Sequence, residues 1–183
     1  VDNQGLVSSE QVLSFENKAF TNEGLIHSDG ILQLALQEKL TNTETGSVVA
    51  LGQTTLSGKA TIHNEAPTRD HAGMAFGGGV HFDSFQGEVL NAGLMTSQTT
   101  MTGVLRKLVN TGTFGANGRY QGFRILDFLN EKTGIFLGEG FITLTGINRG
   151  LMQADRLSLD IEGTFAHEKG AVLKGKTSIV TQG

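Results

Sequence analysis

The chain contains no cysteine and no tryptophan, and it has a single proline among its 183 residues. Without cysteine, a disulfide scaffold, a thiolate metal site and a cysteine nucleophile are all excluded. No apolar run approaches the roughly 18 residues that a membrane-spanning helix needs, so we expect no membrane insertion. The formal net charge is −4 and there is no basic stripe, so we do not expect nucleic acid as a partner.

Glycine, by contrast, is abundant, with 26 residues. This composition is typical of many short strands joined by turns, whereas a helical bundle would be richer in alanine, glutamate, lysine and leucine. The length predicts one domain over residues 1–183. No charged-then-apolar signal segment follows Val1, so the sequence indicates a processed product or a piece of a longer protein.

Asparagine recurs along the chain at nearly constant spacing. The gaps are 18–22 residues, except for one gap of 27 residues between Asn64 and Asn91. The recurring residues, which we expect to form a structural ladder, are Asn3, Asn22, Asn42, Asn64, Asn91, Asn110, Asn130 and Asn148. His167 stands where the next asparagine would fall, so the sequence contains about nine units.

Most of these asparagines begin an Asn-x-Gly turn. Two further sets of residues recur at fixed positions after the glycine, and we call each set a column. Two residues after the glycine the side chain is large and apolar, at Val7, Ile26, Val48, Met95, Phe114, Phe136, Met152 and Val172. Two residues further on it is small, at Ser9, Ser28, Ala50, Ser97, Ala116, Gly138 and Ala154. Lys174 occupies this position in the last unit, which indicates a distorted coil or a cut end there.

These columns predict an all-β fold, a right-handed parallel β-helix of about nine coils of 18–22 residues with one irregular coil. One coil cannot bury its apolar face alone, but stacked coils pair at about 4.8 Å and enclose columns of like residues. Asparagine side chains can then hydrogen-bond along the stack. An up-and-down barrel or a sandwich would explain the strand density but not the aligned columns. A leucine-rich repeat would need its own leucine motif, which is absent.

Units of the form Asn-x-Gly-x-[Ile/Leu/Met/Phe]-x-[Ser/Ala], clearest over 22–42 and 91–110, resemble filamentous haemagglutinin repeats. That family comprises exoproteins of two-partner secretion, including adhesins and contact-dependent growth inhibition effectors. The resemblance implies a secreted or bacterial cell-surface location, an outer-membrane transporter for the parent protein, and a surface receptor, protein or glycan, on a host or target cell. The family's Asn-Pro-Asn-Gly-type secretion motif is missing, because the only proline is Pro67, which implies an interior segment.

The irregular unit, at about 65–90, carries the candidate receptor contacts. These are Arg69, Met74, Phe76, Phe82 and Phe85, which would form an exposed patch on an inserted loop. The other interpretation, which the sequence favours, is that the apolar members pack inward as one widened coil. His71 and His81, with Asp70 and Asp83, have suitable chemistry for a metal but no compact ligand spacing, so we expect no metal and no cofactor.

An enzyme is the main rival class, because many parallel β-helices act on polysaccharides. That chemistry needs carboxylates that converge in a cleft. Glu10, Asp29 and Asp155 share one column, but Asp155 is many coils away from the other two, so we expect no catalysis. The sequence thus favours a structural and adhesive stalk segment. A receptor-binding module of a growth inhibition effector and a polysaccharide-active enzyme are the alternatives.

Overall fold

The computed structural model describes residues 2–67 and 73–181, and all of the regular structure in these residues is β-strand. The strands are β1 Asp2–Asn3, β2 Leu6–Ser9, β3 Val12–Asn22, β4 Leu25–Ser28, β5 Ile31–Asn42, β6 Ser47–Ala50, β7 Gln53–Gly58, β8 Thr61–Asn64, β9 Gly73–Phe76, β10 Gly79–Asp83, β11 Glu88–Asn91, β12 Leu94–Ser97, β13 Thr100–Asn110, β14 Thr113–Asn130, β15 Ile135–Asn148, β16 Leu151–His167 and β17 Val172–Thr181.

Every described strand pairing is parallel and joins a residue to its equivalent one turn further along the chain. Asn22 pairs with Asn42, for example, and Ile26 pairs with Val48. The chain therefore forms a parallel β-solenoid of about nine turns, which confirms the predicted class. It also excludes an antiparallel barrel or sandwich for the described strands.

Each turn of the solenoid has three faces. The first face follows the asparagine turn and contains β2, β4, β6, β9, β12 and the starts of β14 to β17. The second face contains β7, β10 and the corresponding parts of the longer strands. The third face ends at the recurring asparagines and contains β1, β8, β11 and the ends of β3, β5 and β13 to β16. Because strand side chains alternate, every second residue of each face points into one shared interior.

The predicted interior columns are present. The large apolar column runs in register through the first face as Val7, Ile26, Val48, Met74, Met95, Phe114, Phe136, Met152 and Leu173. Its members from Ile26 to Met152 are buried in one continuous core. The alternation of apolar and polar residues in the sequence is therefore what directs these side chains inward.

The last turn departs from the predicted columns by one residue. Leu173, not Val172, pairs with Met152, and Val172 points outward with 49% of its surface exposed. Lys174 pairs with Gln153, so it too faces outward, and Gly175 takes the small position beside Ala154. The turn after His167 is two residues longer than an Asn-x-Gly turn, like the turns after Asn42 and Asn130, but its glycine stands one residue earlier than Gly46 and Gly134 do. Counting from Gly170 therefore misplaces the strand by one residue, which exchanges its two sides.

Aromatic rings fill the interior of the C-terminal half. Phe136 packs against Phe114, Phe128 and Tyr120, with ring centroids 5.9, 5.2 and 5.5 Å away. Gly138 makes room for this cluster, because a Cβ there would lie 2.3 Å from the ring of Tyr120. The Tyr120 hydroxyl donates a hydrogen bond to the backbone oxygen of Leu137. Burial raises the pKa of this hydroxyl above its ordinary value.

Tyr120 predicts a loss of stability in alkaline solution. Its pKa is raised in the folded chain, so its contribution is present below the unfolded pKa of about 10 and is lost as pH rises towards the folded pKa. Tyr120 is the only tyrosine and there is no tryptophan, so tyrosinate absorbance reports on this residue alone. We expect tyrosinate to form together with the loss of β-structure in circular dichroism. Tyrosinate formation near pH 10 in a chain that keeps its native circular dichroism would contradict the burial.

Candidate functional site

The recurring asparagines form a ladder inside the corner between the third face and the next first face. Seven hydrogen bonds of 2.7–2.9 Å join them, each from the Nδ2 of one asparagine to the Oδ1 of the asparagine one turn later. The ladder comprises all eight predicted residues, Asn3, Asn22, Asn42, Asn64, Asn91, Asn110, Asn130 and Asn148. The prediction of a structural ladder is confirmed.

The ladder amides also bind the backbone. Asn22 donates to the oxygen of Ser47 at 3.0 Å, and Asn110 donates to the oxygen of Ile135 at 3.1 Å. From Asn22 to Asn148 the ladder side chains are almost fully buried. A buried amide without partners costs free energy, so this arrangement is stable because donors and acceptors on successive turns satisfy one another.

His167 takes the ladder position after Asn148. The Nδ2 of Asn148 lies 3.2 Å from the Nδ1 of His167. Because an amide nitrogen can only donate, Nδ1 accepts here, and a neutral imidazole ring then carries its proton on Nε2. The ladder thus continues into the ninth turn through a residue that can still donate onward.

Near each end of the solenoid, side chains one residue after the asparagines contact one another along the surface. Arg149 lies between two carboxylates, 3.2 Å from Glu131 and 3.0 Å from Glu168. Hydrogen bonds to Glu168 and Glu131 raise the pKa of Arg149. Gln4 and Glu23 make the equivalent contact at the other end of the solenoid, at 3.1 Å. These contacts lie on successive turns and reinforce the register of the buried ladder.

The irregular coil does not expose the candidate apolar contacts. Met74, Phe76, Phe82 and Phe85 are each at most 1% exposed, so the exposed patch is wrong for these four residues and the inward packing that the sequence favoured is confirmed. The physical reason is register. Met74 pairs with Met95, and Phe76 pairs with Ser97, so both face the interior.

The second face of the irregular coil brings its aromatic side chains into the same core. The Phe82 ring packs 6.0 Å from that of Phe85 and 5.5 Å from that of Phe123. Phe85 lies at the end of the second face, beyond β10, and is buried there. The fifth candidate contact, Arg69, lies outside the described residues, so the structure does not place it.

The extra residues of this coil lie mainly in one turn. Met74 comes ten residues after Asn64, whereas its equivalent Met95 comes four residues after Asn91. Ala66 and Pro67, which begin this longer turn, are exposed. The insertion predicted at about 65–90 therefore extends the corner beside the ladder, and the rest of the coil keeps its place in the stack.

The residues considered for a metal or for catalysis lie apart or are paired. His81 makes a hydrogen bond with Thr102 at 2.8 Å, and Asp70 and His71 lie outside the described residues. Among the described residues no group of three potential ligands has the geometry to hold a metal ion. Glu10 and Asp29 line one shallow groove, as their shared column predicts, and Asp29 contacts His27 at 3.0 Å.

A charged groove that the sequence did not predict lies at the corner before the second face. Arg119 and Glu139 pair in register, with 3.8 Å between their charged groups, and Arg156 and Lys176 continue the same column. Asp155 lies in this groove and not near Glu10. Arg119 and Glu139 each come nine residues after their asparagine and Lys176 comes nine after His167, so spacing alone aligns these three. Arg156 comes eight residues after Asn148 and joins the column through the register of the strands.

Comparison of the chain with protein-family models, with curated proteins and with solved structures found no match. The fold and the ladder therefore define the class of protein, a parallel β-solenoid with a buried asparagine ladder. None of the described elements is a helix long and apolar enough to cross a bilayer. What this arrangement can do is keep nine turns in one rigid order and present their outward side chains in regular rows.

The ladder predicts that replacing the side-chain nitrogen of one asparagine with oxygen lowers the free energy of unfolding. In Asn110→Asp the donor to Asn130 becomes an acceptor, so two oxygens face each other inside the solenoid. We expect a loss of at least about 2 kcal/mol in the free energy of unfolding, measured by urea denaturation. Asn117→Asp is the control, because Asn117 is an exposed amide that binds the Gln98 side chain, and its free energy of unfolding should hardly change. Equal losses in the two variants would contradict the ladder's role.

Proposed function

We propose that the chain is a structural and adhesive stalk segment of a secreted bacterial filamentous surface protein. In this proposal it is a right-handed parallel β-helix of the filamentous haemagglutinin type. The parent protein reaches the cell surface through an outer-membrane transporter. The stalk mediates contact with a receptor, protein or glycan, on a host or target cell, or it holds a binding or toxin region away from the producing cell. The chain itself catalyses no reaction.

The observation that carries the proposal is the unbroken ladder of buried amides. A stack held only by backbone pairing and apolar contacts could change register locally, whereas a register shift here would break the amide-to-amide hydrogen bonds between equivalent asparagines. A stack of this kind is stiff along its axis. Nine turns at about 4.8 Å each give a rod about 43 Å long. Length and stiffness are what a stalk supplies.

A second candidate is a receptor-binding module of a contact-dependent growth inhibition effector. It is favoured by the irregular coil, where the turn after Asn64 has more residues than its equivalents and begins with the exposed Ala66 and Pro67, while the core behind it stays regular. Loops on a rigid scaffold are common recognition elements. In this candidate the contacts come from the exposed corner, and the buried residues Met74 and Phe82 only support it.

Stiffness is tested by measuring distances on the intact chain. The chain has no cysteine, so Leu6→Cys with Val172→Cys places two spin labels without ambiguity, and both positions are exposed and lie in one column eight turns apart. We expect a narrow distance distribution centred near about 38 Å in pulsed electron paramagnetic resonance.

Deleting one whole turn, residues 92–110, joins two equivalent positions of the ladder and should shorten this distance by about 5 Å. In the control pair, Thr113→Cys with Val172→Cys, both labels lie after the deleted turn. The distance between them should therefore be the same with and without the deletion. A broad distribution for the first pair, or a distance that the deletion leaves unchanged, would contradict a stiff stalk.

The two candidates are separated by shortening one turn. Residues 65–73, between Asn64 and Met74, are replaced by the five residues 43–47 that join the equivalent Asn42 and Val48, so the coil keeps its core. If the chain is a stalk, beads coated with the shortened chain should bind as many target cells, counted by microscopy, as beads coated with the unmodified chain. Lys132→Ala, in the exposed turn after Asn130, is the matched control. Loss of binding in the shortened chain alone would favour the receptor-binding module.

A further inference from the structure

The charged groove before the second face runs along the side of the solenoid. Its column of outward side chains begins with Arg119 in the sixth turn and continues through Glu139 and Arg156 to Lys176 in the ninth. Three steps of one strand spacing give this column a length of about 14 Å. Because the groove lies on the lateral surface, it is open to a ligand whether or not further turns follow in the parent protein.

The groove is large enough to hold a small ligand. Its main part has a volume of about 530 Å³ and is lined by Arg119, Glu139, Asp155, Arg156 and Lys176. A second depression of about 290 Å³ shares Glu139 and Asp155 with it and adds the amides of Asn117 and Gln153. The main part falls within the size range of ligand pockets in proteins.

Two cations of the groove stand side by side without an ion pair. Arg156 pairs in register with Lys176, so their side chains leave neighbouring strands at equivalent positions. Among residues 2–67 and 73–181, neither has a carboxylate within 4.0 Å, whereas Arg119 lies 3.8 Å from Glu139. Like charges on neighbouring strands repel each other. An anionic group held between Arg156 and Lys176 would relieve this repulsion.

The carboxylates of the groove restrict what kind of anion fits. Ionised Glu139 and Asp155 can only accept hydrogen bonds, so they repel phosphate or an acidic peptide, which carry little else than negative charge there. A sugar acid combines one carboxylate with several hydroxyl groups that donate. The groove offers partners for both, because the guanidinium of Arg156 matches a carboxylate and the two acidic side chains accept from hydroxyls.

We propose that this groove binds an acidic saccharide. Arg156 and Lys176 hold the sugar carboxylate, while Glu139 and Asp155 accept hydrogen bonds from the sugar hydroxyls. A chain of uronic acids and a terminal sialic acid both present this chemistry. The inference deepens the proposed contact with a surface glycan and rests on it, since it names the side chains that make the contact and the class of sugar they take.

Isothermal titration calorimetry of the 183-residue chain with two probes, trigalacturonate and sialyllactose, tests the proposal. We expect at least one of them to bind, and the one that binds identifies the source of the carboxylate. The methyl ester of that probe keeps the hydroxyls but loses the charge, so it should bind at least about tenfold more weakly. Arg156→Gln should weaken the binding of the acidic probe by a similar factor, because a charge-assisted hydrogen bond is lost.

The control variant removes the same charge outside the groove. Arg106→Gln alters an exposed arginine that does not line the groove, and it should leave the affinity unchanged. Circular dichroism checks that both variants keep their β-structure. The proposal would be overturned if neither probe bound, if the ester bound as tightly as the acid, or if the two variants had equal affinities. Such a failure would leave the stiffness of the stalk, which the spin-label distances measure without any ligand, unaffected.

Discussion

The buried amide-to-amide hydrogen bond between successive turns is the constraint on which the structure depends. A buried asparagine amide needs hydrogen-bond partners, and here the equivalent amides one turn above and below supply a donor and an acceptor, with backbone oxygens as further acceptors. This requirement fixes the register of the third face. The apolar columns of the other faces line up in the same parallel stack.

Variation in turn length is tolerated as long as this register is kept. The turns after Asn42 and Asn130 are two residues longer than the Asn-x-Gly turn, and the turn after Asn64 is longer still, yet Val48, Met74 and Phe136 all stand in one column. Insertions are accepted at the corners because they leave the strands and the core unchanged. The corners are therefore where such a rod can acquire recognition, while the faces supply stiffness.

The sequence predicted the ladder, the parallel stacking and most of the core, because these features repeat at a spacing that a single chain displays. It failed where the spacing is disturbed. The repeat pattern assigns Val172 to the large column that Leu173 occupies, because Gly170 stands one residue earlier in its turn than Gly46 and Gly134 do in theirs. Counting two residues from it reaches the outward side of the strand. Phe76 and Phe82 are candidates for an exposed patch in the sequence because composition alone does not tell an inserted loop from a coil that stays in register. The groove of Arg119, Glu139 and Arg156 was missed because Arg156 comes eight residues after its asparagine, whereas Arg119 and Glu139 come nine after theirs.

The structural role of the ladder is tested most directly by hydrogen exchange of the asparagine side-chain amides, followed by nuclear magnetic resonance. Because the NH2 groups from Asn22 to Asn148 are buried and hydrogen-bonded, we expect them to exchange only when the whole solenoid unfolds. The exposed amide of Asn117 serves as the internal reference and exchanges quickly. Exchange of the ladder amides at the rate of Asn117, in a chain that keeps its β-structure, would contradict the ladder as the element that holds successive turns in register.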